Sequence, residues 1–263
     1  MVFTKDNTRI NDVKAWYKNI PKRIMCVSDT HGYSFFKLKS MLDEISFNEN
    51  DYLYVLGDVI DRGSANDMLE FLRFIIKTPN VTLLMGNHEQ MAFKNARLIE
   101  TPHIPLNELT SEEDRNFRLW GCNGGDPTLE MFQNASATET KQILNLFRQA
   151  PLYKEVYVGD NHFVLCHSGL GAFDPEKLLN QYTAHDLLWY RPELNESFFI
   201  DSNTIVVFGH TPTVFMDNNN QGTPIFSRSW INIDTGAALG DPYAPCLLCL
   251  NDFSYVKPRY DEK

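Results

Sequence analysis

The sequence predicts an α/β fold in which two β-sheets pack together within one domain. Three observations carry this. Polar residues end strand-like apolar runs at Asp29, Asp58 and Asn87, two successive intervals of 29 residues, close to the length of one strand–helix–strand unit. Segments of helical period fill those intervals. After Pro151 the texture changes to closely spaced strands, and no Gly/Ser/Pro-rich linker separates the two halves.

The elements follow in order. "RIMCVSDTHG" reads as a strand and its loop, and "SFFKLKSMLDEI" as the amphipathic helix behind it. "DYLYVLGDVIDRG" repeats the strand, with "SANDMLEFLRFIIK" as its helix; "NVTLLMGNHEQ" is the third strand, followed by a helix over "MAFKNARLIE". Three equivalent turns then lie at one sheet edge, which in open parallel sheets is where ligands bind. From about Pro102 to Ala150 the pattern is polar and helical, with a Thr or Ser N-cap ahead of the acids in "TSEEDRNF". We read it as a helical insertion over the sheet edge. Inside it, Gly124 and Gly125 allow a tight turn before a further helix in "WGCNGGDPTLEMF". "KEVYVGDNHFVLCHSG" reads as a hairpin turning at Gly159 to Asn161, and "TIVVFGHTP", "SWINIDTG" and "PCLLCLND" as the remaining strands of a second sheet.

Composition narrows the function. With 263 residues, 43% of them hydrophobic and 13% aromatic, the chain can bury a large core. It has no apolar leader at its start and nothing near the roughly 18 apolar residues that span a bilayer, so a cytoplasmic protein without membrane contact is expected. The formal net charge of -10 and the lack of a Lys/Arg run argue against nucleic-acid binding. Small phosphorylated substrates stay compatible with that charge, because a bound cation inverts the field of an acidic site. The five cysteines sit mostly in apolar runs and read as reduced core thiols; "CLLC" at Cys246–Cys249 places its pair on opposite faces of a strand. No heptad or amphipathic seam marks a partner helix.

"LYVLGDVIDRGSAND" raises the chemical question. It brings Asp58, Asp61 and Arg62 to the end of a strand that reads as buried. Carboxylates there are costly without a positive partner, and one arginine cannot serve both. The other strand ends offer matching residues: Asp29 with His31, Asn87 with His88, then His167 and His210. Oxygen and imidazole donors without thiolate suit Mn, Fe or Zn. Six ligands, Asp29, His31, Asp58, Asn87, His167 and His210, exceed what one tetrahedral ion uses. Two divalent ions sharing Asp58 account for the number, a pair that supplies hydroxide and clamps the oxygens of a displacement at phosphorus.

In this order, "SDTHG", "GDVIDRG", "GNHE", "CHSG" and "GHTP" resemble the calcineurin-like metallophosphoesterases. The fuller "GDVIDRG" and "GNHE" are similar to the serine/threonine phosphoprotein phosphatases, and "NGGDPTLEMF" and "INIDTG" to their bacterial and phage branch. The resemblance implies a four-layer α/β/β/α sandwich of two mixed sheets. It implies Asp29, His31 and Asp58 at one metal, with Asp58, Asn87, His167 and His210 at the other. It also implies that His88 protonates the leaving alcohol, Asp61 orients His88, and Arg62 and Arg191 hold the phosphoryl oxygens together with Asn87 and His88. Ser28 departs from the pattern, standing where the phosphatases usually carry Gly, and "AALGDPYAP" lacks the Gly-Gly often seen there.

Each motif alone has a plainer reading, since Asp or His at a strand end is commonly a turn former. Five motifs in order with regular spacing outweigh it. His103, His162 and His185 lie outside the motifs and read as surface or capping residues, and Cys166 as core rather than nucleophile. The sequence therefore points to a two-metal phosphatase hydrolysing phosphoserine, phosphothreonine or phosphotyrosine, manganese first among its ions, with a phosphorylated protein or small phosphoester as substrate. Its alternatives are a symmetrical dinucleoside polyphosphate (diadenosine tetraphosphate) hydrolase of the same chemistry and a non-catalytic metal-binding scaffold.

Overall fold

A computed structural model describes residues 21–200 and 202–258. The single-domain expectation for 1–263 therefore extends past the described residues at both ends. The strand order of the first sheet is β10 (Tyr255–Val256), β9 (Leu247–Cys249), β1 (Arg23–Val27), β2 (Asp51–Val55) and β3 (Val81–Leu83). The second runs β4 (Tyr153–Val158), β5 (Asn161–Cys166), β6 (Thr204–Phe208), β8 (Trp230–Asn232) and β7 (Ile225–Phe226). β1, β2 and β3 are parallel, as are β5, β6 and β8; antiparallel strands complete both sheets, so both are mixed.

Period-two alternation sorts the side chains into layers. Ile24, Cys26, Tyr54 and Leu56 of the first sheet meet Phe163, Leu165, Val207 and Ile231 of the second in a dry layer between the sheets. The opposite face of the first sheet, with Met25, Val27, Leu53 and Val55, buries α1 (Phe35–Glu44), α2 (Ala65–Lys77) and α3 (Asn87–Lys94). Val164, Cys166, Val206 and Phe208 on the far face of the second sheet pack on Leu170, Phe198 and Leu187, the last in α8 (Ala184–Leu188). The result is the α/β/β/α sandwich.

Three expectations need correction. "CLLC" joins the first sheet rather than the second: Met25 pairs with Cys249 and Cys26 with Leu248 in antiparallel register. Asn251 Oδ1 accepts the Ile24 N–H at 2.9 Å. A short run apolar on both faces suits the centre of any buried sheet, so its texture could not assign it. Second, the helix behind β3 begins at Asn87, so Asn87 and His88 head α3 itself, and the segment breaks at Asn95 before α4 (Ala96–Glu100). Third, α5 (Ser111–Cys122), α6 (Asp126–Asn134) and α7 (Ala137–Gln149) join the helical layer, burying Trp120, Met131, Phe132, Ile143, Leu144 and Phe147 in its core. Each such side chain contributes about 1.5–3 kcal/mol by burial. The end of α5, the start of α6 and the turn between them reach the sheet edge, where Trp120, Gly124 and Thr128 bond Asp61 and Arg62. Thr110 is the expected N-cap of α5, and it forms a capping box with Glu113.

Candidate active site

Register explains the 29-residue spacing. Val27, Val55 and Leu83 are aligned across β1, β2 and β3. Asp29, Asp58 and Asn87 follow within a few residues at the carboxyl edge. In the second sheet Leu165 pairs with Val207 and Phe208 with Asn232, which brings His167, His210 and Asp234, each two residues farther on, to the same edge.

The loops at this edge are bent sharply. Asp29 (φ 51°), His31 (42°), Asp58 (55°), Asp61 (72°), Arg62 (67°) and His210 (68°) all adopt the left-handed region without being glycine. Each such residue costs of order 1–3 kcal/mol unless its surroundings hold it. Backbone bonds do so: Asp29 N–H donates to Gly57 O at 3.1 Å, His31 N–H to Asp58 O at 3.0 Å, and Gly209 N–H to His167 O at 2.8 Å. Glu89, fully buried, accepts from Asp58 N–H and Val59 N–H, each at 2.8 Å. The loops meet so closely that a Cβ on Gly86 would stand 2.2 Å from Asp58 Oδ1.

The side chains converge on Asp58. Its Oδ2 lies 3.5 Å from His31 Nε2, 3.7 Å from His88 Nε2 and 3.4 Å from His167 Nε2, all of them buried. His31 Nδ1 pairs with Ile60 O and His167 Nδ1 with Leu56 O, both at 2.8 Å. A carbonyl accepts only, so in each ring Nδ1 carries a hydrogen and Nε2 is left to face Asp58. His167 Nε2 also lies 2.8 Å from Asn87 Oδ1 and 3.2 Å from His210 Nδ1, and His210 Nε2 is buried without a partner. Unprotonated, these ring nitrogens set acceptors against acceptors in a buried site, which calls for cations. Burial disfavours a charge on His167, yet Asp58 outweighs it and pushes the ring up to about 10, so this position draws a positive charge, proton or cation. Burial holds His31 down to about 3 and His210 to about 2.

Two groups therefore have metal-holding geometry, His31–Asp58–His88 and Asp58–His167–His210, with Asp58 in both. The first contains His88 where the resemblance implied Asp29. Asp29 lies alongside, its Oδ2 accepting from the His210 N–H at 2.9 Å and from the Ser28 hydroxyl. Burial raises Asp29 to about 6. Asn87 reaches the second group through His167.

The remaining expected residues flank this cluster. Asp61 Oδ2 is 2.5 Å from His88 Nδ1, and Arg62 extends Nη2 to 3.0 Å from His88 Nε2 and Nη1 to 3.3 Å from His31 Nε2. Arg191 lies on the His210 side, donating from Nη1 to His210 O at 3.2 Å and to Thr211 Oγ1 at 3.1 Å. His162 pairs with Glu155 and Thr204, and His103 and His185 are exposed, so none of the three joins the site. Cys166 is buried with its thiol pushed up to about 12, unsuited to nucleophilic work.

Sequence reasoning missed four contributors. Glu89 stood inside "GNHE" without a task. Asp234, buried in "INIDTG", has its carboxyl pushed up by burial and by nearby Asp29. Trp120 and Thr128 of the insertion both bond Asp61. Only position could have found Asp234, just past a strand end like His167 and His210.

Comparison with known proteins identifies relatives among the phosphoesterases. The chain is 30% identical over 206 residues to serine/threonine-protein phosphatase 1 of Salmonella typhimurium, covering 76% of this chain and 82% of that protein. It is 27% identical over 238 residues to serine/threonine-protein phosphatase 2 of Escherichia coli, covering 88% and 94%. An asymmetrical bis(5'-nucleosyl)-tetraphosphatase of Bacillus velezensis is 24% identical over 238 residues, covering 82% and 84%. A crystal structure provisionally assigned as a diadenosine tetraphosphatase shares the fold, with TM-score 0.59, 15% identity and coverage of 92% and 96%. Among the described residues no helix is long and apolar enough to cross a membrane. The calcineurin-like phosphoesterase profile matches residues 22–219, and the chain belongs to that family of metallophosphoesterases.

Proposed function

We propose that the protein is a dinuclear-metal phosphoprotein phosphatase acting on phosphoserine and phosphothreonine, with phosphotyrosine the next candidate, and that 1–263 works as one domain. Asp29, His31 and Asp58 would hold one divalent ion and Asp58, Asn87, His167 and His210 the other. Manganese is proposed first; iron and zinc suit the same donors. Such ions, when bound, acidify water and neutralise phosphoryl oxygens.

The chain's own residues do the rest. Arg62, a planar fork, matches two phosphoryl oxygens, and its present partners, His31 and His88, line the same space. Arg191 adds a second donor from the His210 side, and Asn87 and His88 complete the contacts. His88 donates a proton to the departing oxygen; Asp61, on Nδ1, fixes the ring so that Nε2 faces the substrate.

The observation that carries the reading is the His88–Asp61 pair beside a cluster of metal donors. A serine or threonine alkoxide is a poor leaving group and needs that proton. The protein-phosphatase assignment is further supported by the Salmonella and E. coli relatives, which match over most of both chains. A second reading, hydrolysis of dinucleoside polyphosphates, is favoured by the Bacillus relative. The deciding experiment is metal-stripped protein, reloaded with Mn, assayed on a phosphoserine peptide and diadenosine tetraphosphate side by side. Faster peptide turnover supports the proposal; faster dinucleotide cleavage replaces it with the second reading. No metal-dependent turnover of either leaves a metal-binding scaffold.

A further inference from the structure

The contacts of Asp61 come largely from one distant segment. Trp120 Nε1–H, fully buried at the end of α5, donates to Asp61 Oδ1 at 3.1 Å and Oδ2 at 3.0 Å. Thr128, also fully buried and on the first turn of α6, donates its hydroxyl to Asp61 Oδ1 and accepts the Asp61 backbone N–H at 2.9 Å. One hydroxyl thus closes a ring with the Asp61 carboxylate and its own amide, fixing side chain and backbone together. Gly124 O, in the α5–α6 turn, accepts the Arg62 N–H at 2.9 Å. Asp61 and Arg62 are two consecutive left-handed residues of this loop, and five bonds that hold them come from Trp120, Gly124 and Thr128.

The turn is built for this approach. A Cβ on Gly125 would stand 2.7–2.8 Å from atoms of the Trp120 indole, so the ring lies over bare backbone and its N–H points at Asp61. Gly124 has φ 91°, a conformation that glycine adopts freely, and it is this conformation that presents its carbonyl to Arg62. With both Asp61 oxygens engaged by Trp120 and Thr128, the carboxylate has one orientation, in which Oδ2 meets His88 Nδ1 at 2.5 Å.

We infer that Trp120 and Thr128 are positioning residues for leaving-group protonation: the helical insertion, through Asp61, sets the orientation of the His88 ring. The inference rests on the proposed role of His88. In the step concerned, a water oxygen bonds to phosphorus and gives up a proton as the P–O bond to the leaving group breaks; the electron pair of that bond stays on the leaving oxygen, and the His88 Nε2 proton moves to it. Misaimed protonation therefore harms poor leaving groups and spares good ones. An alkyl phosphate needs the proton, whereas nitrophenolate departs without it.

The test uses the full-length Mn-loaded protein with W120F, T128V, T128S and H88N, assayed on a phosphoserine peptide and on nitrophenyl phosphate. W120F and T128V are expected to lower kcat on the peptide at least tenfold more than on nitrophenyl phosphate, with metal content unchanged, while T128S, which keeps the hydroxyl, restores the wild-type ratio. Equal losses on both substrates, or no loss in either variant with metal content intact, would overturn the inference. H88N separates the two layers of the argument. A selective loss in H88N that W120F and T128V do not share removes the positioning role alone; an unselective H88N removes the reading beneath it.

Discussion

Glu89 and Asp58 are clamped through each other's chain segments. Glu89 Oε2 accepts the Asp58 N–H at 2.8 Å, and Asp58 Oδ1 accepts the N–H of His88, the residue before Glu89, at 3.1 Å. Glu89 Oε2 also takes the Gly86 N–H at 3.1 Å, and Oε1 takes Val59 N–H at 2.8 Å. One buried carboxylate thus ties the Asp58 loop to the head of α3.

Replacing Glu89 by Gln turns one of its two acceptor oxygens into a donor that must face backbone N–H groups. Leaving such groups unpaired costs about 1–3 kcal/mol each. E89Q is expected to lower the thermal midpoint and to weaken Mn binding by roughly 10–100-fold, as losing an orienting partner does at other metal sites. Calorimetric titration of the stripped protein checks it; wild-type affinity would show that the Asp58 loop holds its shape without the clamp.

The two arginines should differ. Both are exposed, but Arg62 extends both terminal nitrogens into the donor cluster, whereas Arg191 donates from Nη1 to His210 O and Thr211. Charge-assisted bonds at about 1.5–3 kcal/mol each give R62A a loss of order 10²-fold in kcat/KM on a phosphoserine peptide. R62K keeps the charge, loses the fork and should recover only part of it. R191A is expected to lose roughly tenfold. Steady-state kinetics at saturating Mn measures all three.

Asp51 carries a pH dependence separate from the site. It is buried at the start of β2, takes Arg23 Nε at 2.9 Å and Nη2 at 2.7 Å, and accepts Asn48 N–H at 3.0 Å. The Arg23 hydrogen bonds hold its carboxyl below the usual value. A depressed folded pKa contributes stability above the unfolded value, about 3.9, that is lost as pH falls through the folded value. Wild type should therefore resist urea better than D51N at pH 7, and the gap should shrink below about pH 4. A gap that stays constant into acid would contradict the linkage.

Much of this was legible because parallel strands in register translate regular sequence spacing into one edge. Asp29, Asp58 and Asn87 follow from that, as do His167 and His210 behind apolar runs. The strand around Cys246–Cys249 was legible as a strand and not as a member of the first sheet, because a run buried on both faces fits either sheet. Trp120 and Thr128 were seen only as parts of a helical insertion. Their partner, Asp61, lies 59 and 67 residues away, and no local period encodes a contact between a helix end and a distant loop. Glu89 was hidden for another reason: its partners are backbone N–H groups, which have no residue signature.

The central claim is that Asp58 is shared by two ions. The most direct measurement is the number of Mn ions bound per chain at saturation, in wild type and D58N, alongside turnover of a phosphoserine peptide. The account predicts two ions in wild type, with D58N losing high-affinity binding at both positions and losing turnover together. One ion per chain in wild type, or a D58N protein with undiminished metal content and turnover, would contradict it.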